Sequence, residues 1–218
     1  MKLKSLIKKQ IIKKEHKTME NYLMLHGQKI ELTEEQIEKI RLSHGFCQTP
    51  FKVNEGETFK IGDIELIRFP EINGGVPVVA KDSIARMKFG ESNNLKESTE
   101  LQKELDGFLK KITNVIGEEN VVSFETDLLS LDGGDKYGKM TSKVSLPTLD
   151  FYRSNRKIFD KHKLDKYYWL ATPDSNDNNL VLCVAPSGEV GYDFIYGNYG
   201  GVRPFLHFVS SIFVSCED

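Results

Sequence analysis

The sequence is poor in cysteine, in tryptophan and in long apolar runs. Its 218 residues include one Trp and three cysteines, and the cysteines form no CxxC pair. Cys47, Cys183 and Cys216 lack histidines at the spacing of zinc ligands, so we expect neither a zinc site nor a redox pair. Cys183 lies in the run LVLCVA, where the expected role is that of a buried small apolar residue. No apolar run reaches the ~18 residues that a membrane-spanning helix needs.

Conventional catalytic motifs are missing as well. The chain has no GxxxxGK[ST], no GxGxxG and no HExxH, and its histidines stand apart from Ser, Cys and carboxylate motifs. Those histidines are His16, His26, His44, His162 and His207. We therefore expect a protein that is not an enzyme and that binds no cofactor.

Residues 1–18 form a basic tail with seven Lys and one Glu, a net charge of +6. Because the whole chain carries −2, the remaining 200 residues carry −8. The tail is too lysine-rich for a secretory signal, so we expect a cytoplasmic protein. Three interpretations stay open: a basic amphipathic helix for nucleic acid or a membrane surface, a poorly ordered chain end, or sequence upstream of a natural start at Met19. The third interpretation rests on Lys14-Glu15, which can be encoded as a ribosome-binding sequence shortly before Met19. If the protein contacts nucleic acid, we expect the contact only through this tail.

Residues 19–45 read as a small hairpin-helix module. The segment NYLMLHGQKIEL alternates loosely around His26-Gly27, which predicts a short hairpin. Thr33 with Gln36 forms a capping box before an apolar helical pattern, and Gly45 stands where that helix should end. The composition of residues 46–57 is typical of a linker.

Residues 58–218 combine strands at both ends with helices between them. The pattern predicts strands in FKIGDIELIRF, GGVPVVA and VVSFET, and a helix after Thr99 with Gln102 completing a capping box and Gly117 ending it. A shorter helix begins at Thr148 with Leu149, Tyr152 and Ile158 facing inward. Further strands follow in KYYWLATP, in a hairpin around 186–188 and in VRPFLHFV. This order predicts an α+β domain with two main helices and termini that meet in one antiparallel sheet.

A series of motifs in this domain resembles a known family. KVSLPTLDFYRSNRKIF is followed by YYWLATP, by a hairpin with SGEV and by GVRPFLHF. The series, from about residue 58 to 214, resembles an uncharacterised domain family of Firmicutes and their phages whose members read WWLRSP and GVRPAL. That family is distantly similar to the formylglycine-generating-enzyme and C-type lectin-like fold.

The resemblance implies a fold and not a chemistry. It implies a C-type-lectin-like mixed sheet in which Trp169 and the segment from Val202 to Val214 share one core. The oxidase relatives need reactive cysteines and an RGGSW stretch, which are absent here. Arg203 precedes Pro204 at a strand entrance, and we expect it to be buried against a carboxylate, with Asp150 or Asp193 as partner, or to bind an anion.

The segment GYDFIYGNYGGVRPF supplies the candidate binding residues. Tyrosines give large contact area at low entropic cost, and Gly and Asn adapt around them. In folds of this type the connections before the last strand form an exposed binding face, which implies a site at Tyr192, Asp193, Tyr196, Asn198 and Tyr199. The alternative is that Tyr192, Phe194 and Tyr196, at period two, face the core.

A second candidate loop precedes this segment. Asp174 and Asn176 begin a run with Asp177, Asn178 and Asn179 whose oxygens suit calcium, although consecutive polar residues are more typical of a solvated loop. We assign no metal and count Asp174 and Asn176 with the binding residues.

The resemblance thus implies a phage or prophage accessory protein, and we expect it to bind a host or virion protein and to be cytoplasmic or virion-associated. The alternative is an inhibitor of a bacterial defence nuclease that uses the acidic body to occupy a nucleic-acid groove.

Overall fold

The computed structural model describes residues 22–25, 28–31, 33 and 51–214. The chain divides into two compact units, residues 1–44 and 45–218. In the smaller unit, β1 (Tyr22–Leu25) and β2 (Gln28–Glu31) pair antiparallel, which confirms the predicted hairpin. The basic tail, the helix predicted after Thr33, Cys47 and Cys216 lie outside the described residues.

The larger unit contains many short strands and one long helix. Its strands are β3 (Phe51–Lys52), β4 (Thr58–Ile61), β5 (Ile64–Arg68), β6 (Gly75–Ala80), β7 (Ala85–Met87), β8 (Val121–Val122), β9 (Phe124–Asp127), β10 (Lys139–Ser142), β11 (Val144–Ser145), β12 (Tyr168–Pro173), β13 (Leu180–Val184), β14 (Val190–Phe194), β15 (Gly200–Val202), β16 (Phe205–Val209) and β17 (Phe213–Val214). Its helices are α1 (Thr99–Ile116), α2 (Leu149–Ser154) and α3 (Arg156–Lys161), with 3-10 turns at Leu95–Glu97, Glu118–Asn120 and Ser210–Ile212. No described helix is long and apolar enough to cross a membrane.

Two larger sheets contain most of these strands, which confirms the α+β class; β9 pairs antiparallel with β10, and β3 pairs in parallel with β17, in separate two-stranded sheets. The first larger sheet has the order β11-β16-β6-β5-β4, with β8 also pairing β16, and every pair is antiparallel. The second has the order β14-β13-β12-β15-β7 and contains one parallel pair, β12 with β15. Strands from the beginning and the end of the unit, β4 and β16, share the first sheet, as the sequence predicts.

The central strands β6 and β12 are buried along their whole length. Alternate residues enter two apolar clusters: Trp169 lies in the cluster that includes the buried face of α1, whereas Tyr168 and Leu170 lie in the cluster beside α2 and α3. Covering a sheet on both faces removes the polar side of the alternation, which is why these strands read as continuous apolar runs.

Helix α1 confirms the predicted apolar stripe, from Leu101 to a stop at Gly117, which has a φ of +86°. The predicted capping box is wrong, because the N-cap is Ser98 and Thr99 already belongs to the helix. Gln102 instead donates its side-chain amide to the carbonyl of Leu95, in the 3-10 turn that leads into α1.

The second main helix is replaced by two short ones. The helix starts at Thr148 as predicted, and Thr148 caps α2 by accepting from the backbone N–H of Phe151. Asn155 then ends α2, with a φ of −113° and its side-chain amide donating to the carbonyl of Phe151. The break turns the next helix, so that Phe159 is buried and Ile158 only half-buried.

Residues 51–57, expected to be linker, pack against the larger unit. β3 pairs in parallel with β17, and Val53 is buried in the main core. The Phe51 ring lies 4.9 Å from Phe59 and 6.0 Å from Phe213. The contacts with β17 and Phe213 are with residues far away in the chain, so composition alone does not reveal them.

Trp169 and Arg203 are both fully buried. The Trp169 indole N–H donates to the carbonyl of Met87 at 3.0 Å, and the residue shares one cluster with Val202 and Leu206, as predicted. The carboxylate partner predicted for Arg203 is wrong. Its guanidinium donates to three backbone carbonyls, those of Ala80, Lys81 and His162, and lies over the rings of Phe159 and Tyr168.

A candidate binding surface on the edge strand

Strand β14 is the outer strand of the second sheet, and β13 is its neighbour. The turn between them closes with the N–H of Ala185 donating to Glu189 and the N–H of Gly188 donating to Ala185. Gly188 has a φ of +89°, which favours glycine at this position. The Tyr152 hydroxyl donates to the Gly188 carbonyl at 2.7 Å, so helix α2 holds the turn from one side.

Four apolar side chains at alternate positions lie exposed along β14 and just beyond it. Val190 is 37% exposed, Tyr192 58%, Phe194 46% and Tyr196 60%, and the rings of Phe194 and Tyr196 stack at 5.1 Å. We call these four residues the aromatic surface. The alternative that the row faces the core is wrong, because the buried side chain here is Ile195, only 2% exposed.

The aromatic surface borders a cleft of about 430 Å³ between β14 and helix α2. Leu149 and Tyr152 of α2 share an apolar cluster with Leu182 of β13, whereas Tyr192, which pairs with Leu182, is exposed. The walls are apolar, with two guanidinium groups on the helix side. The lining residues are Leu131, Leu149, Tyr152, Arg153, Arg156, Leu182, Val190, Gly191 and Tyr192. Arg153 is paired with Asp150 at 2.6 Å and Arg156 with Asp160 at 2.9 Å.

Asp193 and Tyr199 lie on the opposite face of β14. The Tyr199 hydroxyl donates to Asp193 Oδ1 at 2.5 Å, and this bond to a carboxylate raises the pKa of Tyr199 to about 12. The Tyr199 ring is 6.3 Å from Trp169, and Arg86 donates to the Tyr199 carbonyl. The predicted site therefore separates: Tyr192 and Tyr196 belong to the aromatic surface, whereas Asp193 and Tyr199 form a pair on the other side.

The connection from Asp174 to Asn179 is held by its own polar groups. Asp174 Oδ1 accepts from the backbone N–H groups of Asn176 and Asp177. Asn93, fully buried, donates its side-chain amide to the carbonyls of Asp174, Asp177 and Leu180. Asn176 and Asn198 are exposed, and neither Asp174 nor Asn176 adjoins the aromatic surface in the cleft lining. Within residues 51–214 and the hairpin, no three His, Cys, Asp or Glu residues group as metal ligands do.

Two titratable groups, one buried and one half-buried, lie away from this surface. Cys183 is buried, as predicted, and desolvation raises the pKa of its thiol to about 12. His207 stacks on Phe124 at 4.3 Å beside a second cleft, and burial lowers the pKa of its imidazole to about 4. Both environments favour the neutral form, which is consistent with packing roles.

Sequence reasoning did not identify several residues of this surface. Val190 is a single aliphatic residue after a turn. Arg153 belongs to α2 and Arg156 to α3, and the position of these two helices beside β14 depends on long-range packing. Asn93 gave no signal, because its three acceptors lie more than 80 residues further along the chain.

Comparison of the chain with protein-family models, with curated proteins and with solved structures finds no match.

Proposed function

We propose that the larger unit is a non-catalytic protein-binding module and that the aromatic surface on β14 is its contact. The observation that carries this proposal is the row of Val190, Tyr192, Phe194 and Tyr196, exposed side by side on a sheet edge. Clustered exposed apolar side chains of this kind mark interaction sites in soluble proteins. Tyrosines are enriched where proteins meet, because they bury a large area with few rotatable bonds.

The base under this surface is rigid. β14 is fully paired with β13, Tyr152 fixes the turn between them, and Ile195 anchors the end of the strand in the core. A contact surface that is already ordered loses less entropy on binding. This arrangement supports a preformed recognition surface rather than one that forms with its partner.

The finer fold assignment is part of the same proposal. We assign the larger unit to the C-type-lectin-like group and the protein to the accessory proteins of phages or prophages, cytoplasmic in the host cell or virion-associated. Support comes from the buried tryptophan strand β12, from β4 and β16 sharing one sheet, and from the surface just before the final strands. An apolar contact surface favours a protein partner over mimicry of nucleic acid by an acidic body.

Affinity capture tests the contact. The full chain is immobilised and exposed to a lysate of cells that carry the gene, and retained proteins are quantified by mass spectrometry. The double replacement Tyr192→Ala and Tyr196→Ala is expected to reduce the retained partner by about tenfold or more, because central tyrosines commonly contribute about 2 kcal/mol to binding.

Tyr167→Ala is the matched control, because Tyr167 is also exposed, at 45%, but lies outside the aromatic surface. Circular dichroism and thermal unfolding verify that both variants are folded. A partner retained equally by the wild type and by the double variant would exclude this surface as the contact.

A further inference from the structure

Part of the open edge of β14 carries backbone groups that no strand has bonded. On the β13 side, the N–H of Ala185 donates to the carbonyl of Glu189, and the N–H of Ile195 donates to the carbonyl of Asn179. In an antiparallel pair such residues alternate, so the odd-numbered residues of β14 bond to β13. The N–H and C=O groups of Val190 and Tyr192 therefore point to the open side of the sheet.

The edge is closed at Phe194, whose backbone groups are already bonded. Asp193 Oδ1 accepts from the Phe194 N–H at 2.8 Å, and the Phe194 carbonyl accepts from Gly197 at 3.0 Å. The open stretch is thus short and defined, and natural edges that avoid pairing are more often blocked by lysine, proline or a bulge.

The two faces of this edge differ in chemistry. Val190, Tyr192 and Phe194 make one face apolar, whereas the other face presents Glu189 and Asp193 on either side of Gly191. Within the described residues, neither Glu189 nor Asp193 forms an ion pair. The nearby cation of Lys163 is instead paired with Asp160, at 3.5 Å. A strand that pairs here meets apolar side chains on one face and uncompensated negative charge on the other.

We propose that β14 receives an extended segment of a partner protein as an added antiparallel strand, with apolar side chains against Tyr192 and basic side chains against Glu189 and Asp193. This inference rests on the proposed binding function and specifies its partner. Bonds from the open groups of Val190 and Tyr192 hold the backbone of the segment, and the alternating side chains select its sequence. Asp193 Oδ2 is available to a basic group, since Tyr199 and the Phe194 N–H use Oδ1.

The same charges oppose a second copy of this chain as the occupant. Self-pairing that joins the open groups of Val190 to those of Tyr192 is centred on Gly191. That register places Glu189 of each copy opposite Asp193 of the other, and like charges directly opposite are destabilising. A basic partner strand replaces this repulsion by attraction.

Synthetic peptides test the proposal with the full chain. The probe is a capped peptide that alternates Lys with Val and Phe, and the first control has Glu in place of each Lys. We expect the lysine peptide to bind at least about tenfold more tightly, an advantage that falls as salt is raised. The replacements Glu189→Gln and Asp193→Asn remove both negative charges but keep a side-chain oxygen that can accept a hydrogen bond. They should remove most of this difference in affinity.

N-methylation distinguishes strand addition from simple adhesion. In an antiparallel pair the apolar residues of the peptide direct their N–H groups to β14 and the lysines direct theirs away. Methylating the amides of Val and Phe should abolish binding, and methylating those of Lys should leave it. Equal binding by both methylated peptides, or the reverse order, would overturn the proposed pairing.

Amide hydrogen exchange provides the local readout. The lysine peptide should slow exchange at Val190 and Tyr192, whereas Gly191 and Asp193, already bonded to β13, serve as internal references. Unchanged exchange at the edge, with partner capture still dependent on Tyr192 and Tyr196, overturns strand addition and leaves the binding module intact. Slowed exchange at the edge, with partner capture unchanged by the replacement of both tyrosines, would refute the proposed function and support strand addition at β14.

Discussion

At the scale of single residues, Arg203 combines full burial with the absence of any bonded carboxylate. Desolvation lowers the pKa of its guanidinium, yet three carbonyl acceptors hold the group in place. The bonds join the end of β6, the end of α3 and the entrance to β16. Arg203 therefore acts as a structural junction, and its full burial favours this role over the anion binding that the sequence also allowed.

Arg203→Met is expected to destabilise the protein by about 3 kcal/mol, because buried carbonyls lose their donors. Urea unfolding measures the change. Arg153→Met, which removes an exposed guanidinium, should cost less than about 0.5 kcal/mol. If Arg203→Met proved as stable as the wild type, the cost of burying the charge would equal the gain from its hydrogen bonds.

His207 predicts a pH dependence of stability. Burial lowers the pKa of the folded imidazole to about 4, below its ordinary value of 6.5. Between pH 6.5 and pH 4, His207 is protonated in the unfolded chain but neutral in the folded chain. Its effect on the free energy of unfolding is therefore absent above pH 6.5, and stability declines as pH falls towards 4. Chemical unfolding at a series of pH values should show a shallower acid decline for His207→Gln than for the wild type. Parallel curves would contradict a half-buried imidazole that stays neutral in the folded protein.

At the scale of elements, close packing requires the two glycines of β15, Gly200 and Gly201. A Cβ on Gly200 would stand 1.8 Å from Cε2 of Trp169, and one on Gly201 would stand 2.3 Å from the Ser83 hydroxyl. The sequence suggested adaptable glycines around a binding site. The structure shows that they allow β15 to pass directly over the indole.

Gly200→Ala should therefore destabilise the protein by about 3 kcal/mol, since the indole is fully enclosed and the backbone must shift. Gly191→Ala is the matched change on an exposed strand with nothing within 4 Å of its added Cβ. It should alter stability by less than about 0.5 kcal/mol. Thermal unfolding followed by the fluorescence of the single Trp reports both, and equal effects would refute the close approach.

The predictability of each element follows the range of the contacts that define it. Local patterns located α1, the β13–β14 hairpin and the buried strand β12, because apolar period and turn glycines are properties of neighbouring residues. The β9–β10 pair was missed because its connection is a polar loop of Gly and Asp that conceals the return strand. Period two grouped Tyr192 with Phe194, but only the tertiary structure shows that α2 ends before it covers them.

At the scale of the whole molecule, residues 51–57 belong to the folded larger unit. We predict that a chain of residues 58–218 unfolds about 10 °C below a chain of residues 45–218, because the Phe51 ring and Val53 leave the core. Scanning calorimetry compares the two. Equal unfolding midpoints for the two chains would show that residues 51–57 act as a linker, as the composition suggested.

The parallel pair of β3 with β17 has a practical consequence for engineering. Phe51 faces Phe213 across one strand spacing, about 5 Å. The first and last strands of the larger unit are thus neighbours, so this unit can be inserted as a domain into a surface loop of another protein. Alternatively, its ends can be joined by a short bridge and new ends opened at Gly133, where the backbone is exposed.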